Sequence, residues 1–189
     1  MKKIIILIMS VFASLILFNS CGSKEMSQTD TGEIPEWYTN PPTSSDYIYA
    51  ARTATSRDLQ VAVDKATTDA RTEIGRIVET KVAGLQKNFN EEVGVGENSQ
   101  LLQQFTEAQK TVVSTALNGS QIKENKTLKD GENWRAYVLV EYPIGMANAA
   151  FLQQLKKQEE LYTRYRSSET FKELEKEVEK YEAWKENQK

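Results

Sequence analysis

The sequence contains no histidine and only one cysteine among its 189 residues. The absence of histidine removes the side chain that most often serves as a general base and as a transition-metal ligand. A single cysteine cannot form a disulfide within the chain, so the folded part must be stabilised by a buried apolar core. The 24 lysines and arginines are outnumbered by 27 aspartates and glutamates. Nucleic-acid binding is therefore not expected, because it requires concentrated positive charge.

The single cysteine, Cys21, ends an N-terminal segment that has the features of a bacterial lipoprotein signal. Lys2 and Lys3 form a basic start, and an apolar run follows over residues 4–18. This run is shorter than the ~20 residues that a membrane-spanning helix needs. Its length is instead typical of the apolar region of a secretory signal peptide.

The residues around Cys21 favour lipidation over two alternatives. Ser20 and Gly22 are small, as the residues beside a lipidated cysteine usually are. The first alternative is an ordinary signal peptide, which would leave a free thiol on Cys21 that is expected to pair with another molecule. The second alternative is that the N-terminal segment is not cleaved and serves as a membrane anchor, which would still tether the protein to a membrane. We therefore expect residues 1–20 to be a signal peptide, and Cys21 to carry a diacylglyceryl group and palmitate-type acyl chains.

The rest of the chain divides by composition into three parts. Residues 21–34 are polar and predict a flexible tether. Residues 35–146 alternate between strand-like and helix-like patterns and predict one α+β domain. Residues 147–189 are highly charged and predict a C-terminal helical extension.

The predicted domain contains a small antiparallel sheet, formed by one early strand and a late hairpin, packed against two helices. Aromatic and β-branched residues indicate the early strand at 46–53, and Asp130-Gly131 is a strong hairpin signal. The last strand alternates, with one face apolar and the other half polar, so the second face is expected to be partly covered by a loop, a helix or a partner. The first helix has an alanine-rich face that predicts close packing on the sheet. This face contains Ala62, Ala66 and Ala70.

The order of these elements resembles the LPP-twenty family, small outer-membrane lipoproteins of Gram-negative bacteria. Pro35-x-Trp37 precedes a short aromatic strand that ends in small residues, at 47–51. A helix and a late aromatic-rich hairpin follow, and the resemblance spans roughly residues 35–142. The helix residues that carry it are Ala66, Ala70, Arg71 and Glu73. The resemblance implies an α+β domain on an outer-membrane anchor, kinship with envelope-assembly lipoproteins and no enzyme activity.

The C-terminal segment carries a narrow apolar stripe among charged residues. Its residues step by three, four and three along a helix that Ser168 can cap. The stripe consists of Phe171, Leu174, Val178 and Tyr181. One hypothesis is that these four residues bind a partner or a second copy of the chain. The alternative is that only residues 151–155 dock on the domain and the remaining helix is solvated.

No arrangement of residues in the sequence indicates catalysis or cofactor binding. Ser120-x-x-Lys123 matches the spacing of a serine–lysine pair, but it lies in a predicted strand and has no companion motif. No cluster of ligand residues has metal-binding spacing. We therefore expect no cofactor, no metal and no enzyme activity.

The sequence thus favours a non-catalytic, lipid-anchored lipoprotein of the outer membrane that faces the periplasm and binds another envelope component. The sequence is also compatible with a function of a different class. This is a periplasmic small-ligand binder or enzyme that uses an aromatic pocket near Trp37, Tyr47 and Trp134. A ligand binder needs a concave pocket, whereas an assembly module needs an exposed apolar patch.

Overall fold

The computed structural model describes residues 34–93 and 99–187. Within them the chain forms three strands and six helices, which confirms the predicted α+β class. The elements in chain order are α1 (Glu36–Thr39), β1 (Tyr47–Ser56), α2 (Leu59–Val93), α3 (Ser99–Gly119), β2 (Gln121–Asp130), β3 (Asn133–Pro143), α4 (Ile144–Lys157), α5 (Glu159–Tyr165) and α6 (Glu169–Glu186). The predicted signal peptide, Cys21 and all of the predicted tether except residue 34 lie outside the described residues.

The three strands form an antiparallel sheet in the order β1-β3-β2. The predicted early strand and late hairpin are both confirmed. Gly131 provides the turn between β2 and β3 with a φ of 59°, in the left-handed region that glycine adopts without a steric penalty. Because β3 is central, it carries the most buried residues of the sheet.

The inner face of the sheet packs on the alanine-rich face of α2. Ala62, Ala66 and Ala70 are completely buried, as are Val138 and Val140 of β3. The small side chains at these three positions allow the helix backbone to approach the sheet closely. This packing confirms the predicted role of the alanine face.

An ion pair also joins α2 to the sheet. Arg52 of β1 places Nη2 2.7 Å from Oε2 of Glu73 on α2. Arg76, one turn along α2, also contacts the Glu73 carboxylate. The hydrogen bond from Arg76 is the main reason that the pKa of Glu73 lies below its usual range, and the nearby charge of Arg52 lowers it further.

The outer face of the sheet is partly covered by α1. The rings of Tyr38 and Tyr137 meet edge to face with centroids 4.9 Å apart. Pro35 is buried, and so is Leu139 on the same face of β3 as Tyr137. The second face of the last strand was expected to be covered by a loop, a helix or a partner. The structure shows that a helix of the chain itself, α1, covers part of it.

The three C-terminal helices are part of the same core as the sheet. Phe151 of α4, Leu161 of α5 and Leu174 of α6 belong to one hydrophobic cluster that also contains Val140. The described residues, 34–93 and 99–187, belong to one compact unit. The boundary predicted between residues 146 and 147 does not correspond to a break in the core, because α4 continues directly from β3 and packs on α3.

Two side chains fix the start of α6. The hydroxyl of Ser168 accepts the backbone N–H of Phe171 at 3.2 Å, which is the predicted cap. Oε2 of Glu92, near the end of α2, accepts the backbone N–H of Glu169 at 2.8 Å. The start of α6 thus meets the end of α2, and the two helices run side by side in opposite directions.

Candidate functional site

The predicted partner-binding stripe of α6 faces the domain itself. Phe171 and Leu174 are only 1% and 2% exposed, and Val178 is half-buried against the same core. Tyr181 lies against Gly145 at the start of α4. The hypothesis that these four residues form a free contact surface is therefore wrong, and so is the alternative of a solvated helix. The stripe is buried because α6 packs on α4 and α2.

The three aromatic residues of the predicted ligand pocket do not meet in the structure. Tyr47 pairs with Pro143 at one end of the sheet, and Trp134 pairs with Ser56 at the other. Nine positions of β3 separate the two pairs, which at ~3.4 Å per residue is about 30 Å. Trp37 belongs to α1, which covers the outer face, so a shared pocket of these three residues is excluded by the register.

A different concave site lies between α2 and α6. It is a groove of about 780 Å³ whose third wall is formed by the start of β1 and the start of α4. We call it the α2–α6 groove. Its apolar lining consists of Tyr47, Leu85, Pro143, Ile144, Tyr181 and Trp184. Only Tyr47 belongs to the aromatic set predicted from the sequence.

The aromatic wall of the groove is fixed in place by close packing. A Cβ on Gly145 would overlap the ring of Tyr181, so only glycine allows Tyr181 to lie this close to α4. Trp184 stacks on Tyr181 with ring centroids 5.9 Å apart and planes inclined by 25°. Trp184 is nevertheless 43% exposed. The groove therefore presents a supported indole ring that is open to solvent.

The polar lining of the groove contains charges of both signs. Asp46 and Glu177 carry carboxylates, and Lys81 and Lys180 carry ammonium groups. The side-chain amide of Asn148 donates to Oε2 of Glu177 at 2.7 Å. The fixed charges of these side chains balance, so the groove attracts neither anions nor cations strongly.

Two further properties bear on what the groove can bind. Burial, helped by Glu182 and Tyr47, raises the pKa of Tyr181, so its hydroxyl stays protonated at neutral pH. Opposite α6, no atom lies within 4 Å of the place where a Cβ on Gly84 would be. The α2 side of the groove is therefore open, and a ligand can approach the helix backbone there.

The serine–lysine pair seen in the sequence is engaged in other contacts. The hydroxyl of Ser120 donates to the carbonyl of Leu117 at 3.0 Å. Nζ of Lys123 lies 2.7 Å from Oε2 of Glu141, and this hydrogen bond is the main cause of its raised pKa. Lys123 is therefore held in its charged form, which is the opposite of what a general base requires.

Neither a metal centre nor a membrane span is found in the described part of the chain. Over residues 34–93 and 99–187, no group of three or more histidine, cysteine, aspartate or glutamate side chains could hold a metal ion. No helix in these two ranges has both the length and the apolar content that crossing a membrane requires.

The sequence match to a known family covers most of the domain. The model of the LPP20 lipoprotein, the LPP-twenty family named above, matches residues 35–142. The chain belongs to the LPP20 lipoprotein family. This membership confirms the resemblance and makes the protein a lipoprotein of the cell envelope. No curated protein and no solved structure matches the chain.

The LPP20 match ends at the last residues of β3, whereas the groove extends beyond it. Tyr47 and Leu85 belong to the matched part, but Tyr181 and Trp184 come from α6. Sequence reasoning missed Trp184, although it continues the spacing of the stripe by three residues after Tyr181. Extending the stripe by one step would have identified it.

Proposed function

We propose that the protein is a non-catalytic, lipid-anchored lipoprotein of the outer membrane that faces the periplasm and acts as a binding or assembly module. The observation that carries the proposal is the match of residues 35–142 to the LPP20 lipoprotein model. The proposed anchor is a diacylglyceryl group on Cys21, after removal of residues 1–20 as a signal peptide.

The anchor is supported by the sequence around Cys21 and by the energetics of acyl chains. Each buried methylene contributes ~0.8 kcal/mol to membrane binding. A single chain binds reversibly, whereas two or three chains hold a protein on the membrane for long times. Lipidation of one cysteine is therefore sufficient to keep the domain at the membrane surface.

The non-catalytic role is supported by how the ionisable side chains are used. Arg52, Lys123 and Arg135 each form an ion pair with a neighbouring carboxylate. The serine–lysine pair is divided between a backbone carbonyl and Glu141. A binding role instead has a candidate surface, the α2–α6 groove, which has an exposed aromatic ring and polar walls with charges of both signs.

The anchor and the location are tested together by substituting Cys21. Cys21→Ser should leave an uncleaved precursor or release the protein from membranes, because no other residue can be lipidated in the same way. Ser23→Ala, two residues further on, is the matched control and should be processed normally. Separation of membranes by density, and protease treatment of intact and opened cells, then locate the parent protein. Membrane retention and normal processing of Cys21→Ser, or recovery of the parent protein in the inner membrane, would contradict the proposal.

The binding role is tested by site-specific photo-cross-linking in living cells. A photoreactive residue at position 180 reports on the groove, and one at position 124 reports on the exposed edge strand β2. The proposal expects a specific cross-link to an envelope component from at least one of the two sites. Turnover of an envelope substrate by the purified protein would refute the non-catalytic part. An absence of cross-links from both sites, with the protein correctly anchored, would refute the binding part.

A further inference from the structure

We propose that the α2–α6 groove is a binding site for a neutral, hydroxyl-rich ring, namely a mono- or disaccharide, with Trp184 as the stacking surface. This inference goes beyond the proposed function and does not depend on the anchor. It follows from three properties of the groove, which are its size, its supported aromatic wall and its balanced charges.

The size of the groove fits a small ligand. Its volume of about 780 Å³ lies within the ~300–1,000 Å³ that is usual for small-molecule sites. Along α2 the lining extends from Lys81 to Asn88, which at 1.5 Å per residue is about 10 Å. This length accommodates one or two sugar rings, whereas a docked helix or strand would need a longer groove.

The aromatic wall is arranged before any ligand binds. Gly145 permits the close approach of Tyr181, and Tyr181 supports Trp184 from one side. A stacked ring loses little conformational freedom when a ligand covers it, so more of the contact energy is available for binding. The apolar C–H face of a sugar is suited to such a ring, because the ring is flat, partly exposed and surrounded by polar groups.

The polar wall favours a ligand that both donates and accepts hydrogen bonds. Asp46 and Glu177 provide acceptors, and Lys81 and Lys180 provide donors. Asn88 adds an exposed amide, which can do both. A phosphate or an acidic peptide would meet two carboxylates in this groove, whereas hydroxyl groups can use every one of these side chains.

The open side of the groove argues against a purely apolar ligand. Because the space beside Gly84 is empty, an acyl chain bound there would keep one side in water. It would thus lose much of the gain that burial of apolar surface provides. A sugar keeps its hydroxyl groups hydrated on that side while its apolar face covers Trp184.

The test is calorimetric titration of the full chain, as purified from membranes or from the soluble fraction, in a detergent that has no sugar headgroup. The probes are N-acetylglucosamine and its β-1,4-linked disaccharide, and decanoate is the apolar comparison. We expect saturable binding of at least one sugar at one site per chain and none of decanoate. Trp184→Ala should weaken the sugar affinity about tenfold, as the loss of an aromatic contact does. Gly84→Leu should abolish binding by filling the open side.

Controls separate the loss of the site from the loss of the fold. Trp134→Phe removes a tryptophan at the far end of the sheet and should leave the affinity unchanged. Thermal melting establishes that each variant is folded. Failure of both sugars to bind the folded parent chain would overturn the proposal. So would unchanged affinity in both groove variants, or binding of decanoate alone. Because these measurements use purified protein, they leave the anchoring and cross-linking tests unaffected.

Discussion

The carboxylate of Glu92 on α2 accepts the backbone N–H of Thr170 on α6 at 3.1 Å, across 78 positions of the chain. The hydroxyl of Thr170 also donates to this carboxylate. Its hydrogen bond is the main reason that the pKa of Glu92 is lowered, and the backbone N–H groups of Glu169 and Thr170 add to the effect. Glu92 thus caps the first turn of a helix that is distant in sequence and sets where that helix begins.

Substitution of Glu92 by glutamine should lower the melting temperature at neutral pH. Glutamine keeps the size of the side chain but removes the negative charge that the helix N-terminus favours. Because the folded pKa of Glu92 is lowered, its contribution is complete above the ordinary glutamate value of about 4.3 and is lost as the pH falls through the folded pKa. The difference in melting temperature between parent and variant should therefore shrink as the pH is lowered from 6 to 3.

The matched control is Glu91→Gln, which removes a neighbouring exposed carboxylate that pairs only weakly with Lys87. It should change the melting temperature little at any pH, because exposed pairs of this type contribute about 0.3–0.5 kcal/mol. A difference between Glu92→Gln and the parent that is the same at pH 3 and pH 6 would contradict the capping role.

Charged substitutions in the α6 stripe should destabilise the fold. Leu174→Glu with Val178→Glu places two carboxylates against the core cluster and should cost more than about 3 kcal/mol. Glu173→Gln with Lys176→Gln, on the exposed face of the same helix, should stay within about 0.5 kcal/mol. Urea denaturation measures both. A double glutamate variant as stable as the parent would mean that α6 does not dock.

Much of the sheet and of α2 could be predicted because the spacing of apolar residues along the sequence matches the faces that are buried in the fold. The alternation in β3 identifies Val138 and Val140 as core residues because a strand has only two faces. The alanines of α2 are informative for a similar reason, since small residues on one helix face indicate close packing. The caps and turns at Ser168 and Gly131 were predictable because each depends on a few neighbouring residues.

The position of α6 and the location of the site could not be predicted in this way. A stripe such as Phe171–Tyr181 has the same spacing whether it meets its own domain or a partner. What decides the outcome is the packing of α6 on α4 and α2, together with the distant contact between Glu92 and Thr170, and neither leaves a pattern in the sequence. The grouping of Trp37, Tyr47 and Trp134 was wrong because it depended on a register that the sequence did not reveal.

The close packing of α2 on the sheet predicts that Ala70 will not accept a larger side chain. Ala70 is completely buried on the face that meets the sheet. Ala70→Leu should therefore overpack this contact and destabilise the protein by about 1–3 kcal/mol. Arg71→Leu, the next residue along the helix and exposed, should have a much smaller effect. Equal unfolding midpoints in urea for the two variants would show that the alanine face is not the packed one.

The two glycines of the groove should respond to alanine in opposite ways. A Cβ at Gly145 overlaps the Tyr181 ring, so Gly145→Ala should displace that ring and destabilise the protein by about 1–3 kcal/mol. A Cβ at Gly84 meets nothing within 4 Å, and alanine is the better helix former. Gly84→Ala should therefore stabilise the protein by about 0.5–1 kcal/mol. Thermal melting distinguishes the two, and a stable Gly145→Ala variant would contradict the close contact.

The hydroxyl of Tyr142 is completely buried and has no hydrogen-bond partner among the described residues. Burial, with a smaller effect of Tyr181, raises the pKa of Tyr142 to about 12. Because a tyrosine in the unfolded chain ionises near pH 10, the unfolded state loses this proton first as the pH rises. Stability should therefore fall between pH 10 and 12, by on the order of 1 kcal/mol at pH 11 from this residue.

Tyr142→Phe removes both the unpaired hydroxyl and its ionisation. At pH 7 the variant should be at least as stable as the parent, because an unsatisfied buried hydroxyl costs about 1–3 kcal/mol. Between pH 10 and 12 its stability should fall less steeply than that of the parent. Tyr38→Phe, on the outer face of the sheet, is the control that keeps Tyr142 and should follow the alkaline slope of the parent. A loss of more than about 1 kcal/mol in Tyr142→Phe at pH 7 would mean that the hydroxyl is hydrogen-bonded, since only a paired hydroxyl contributes stability when it is present.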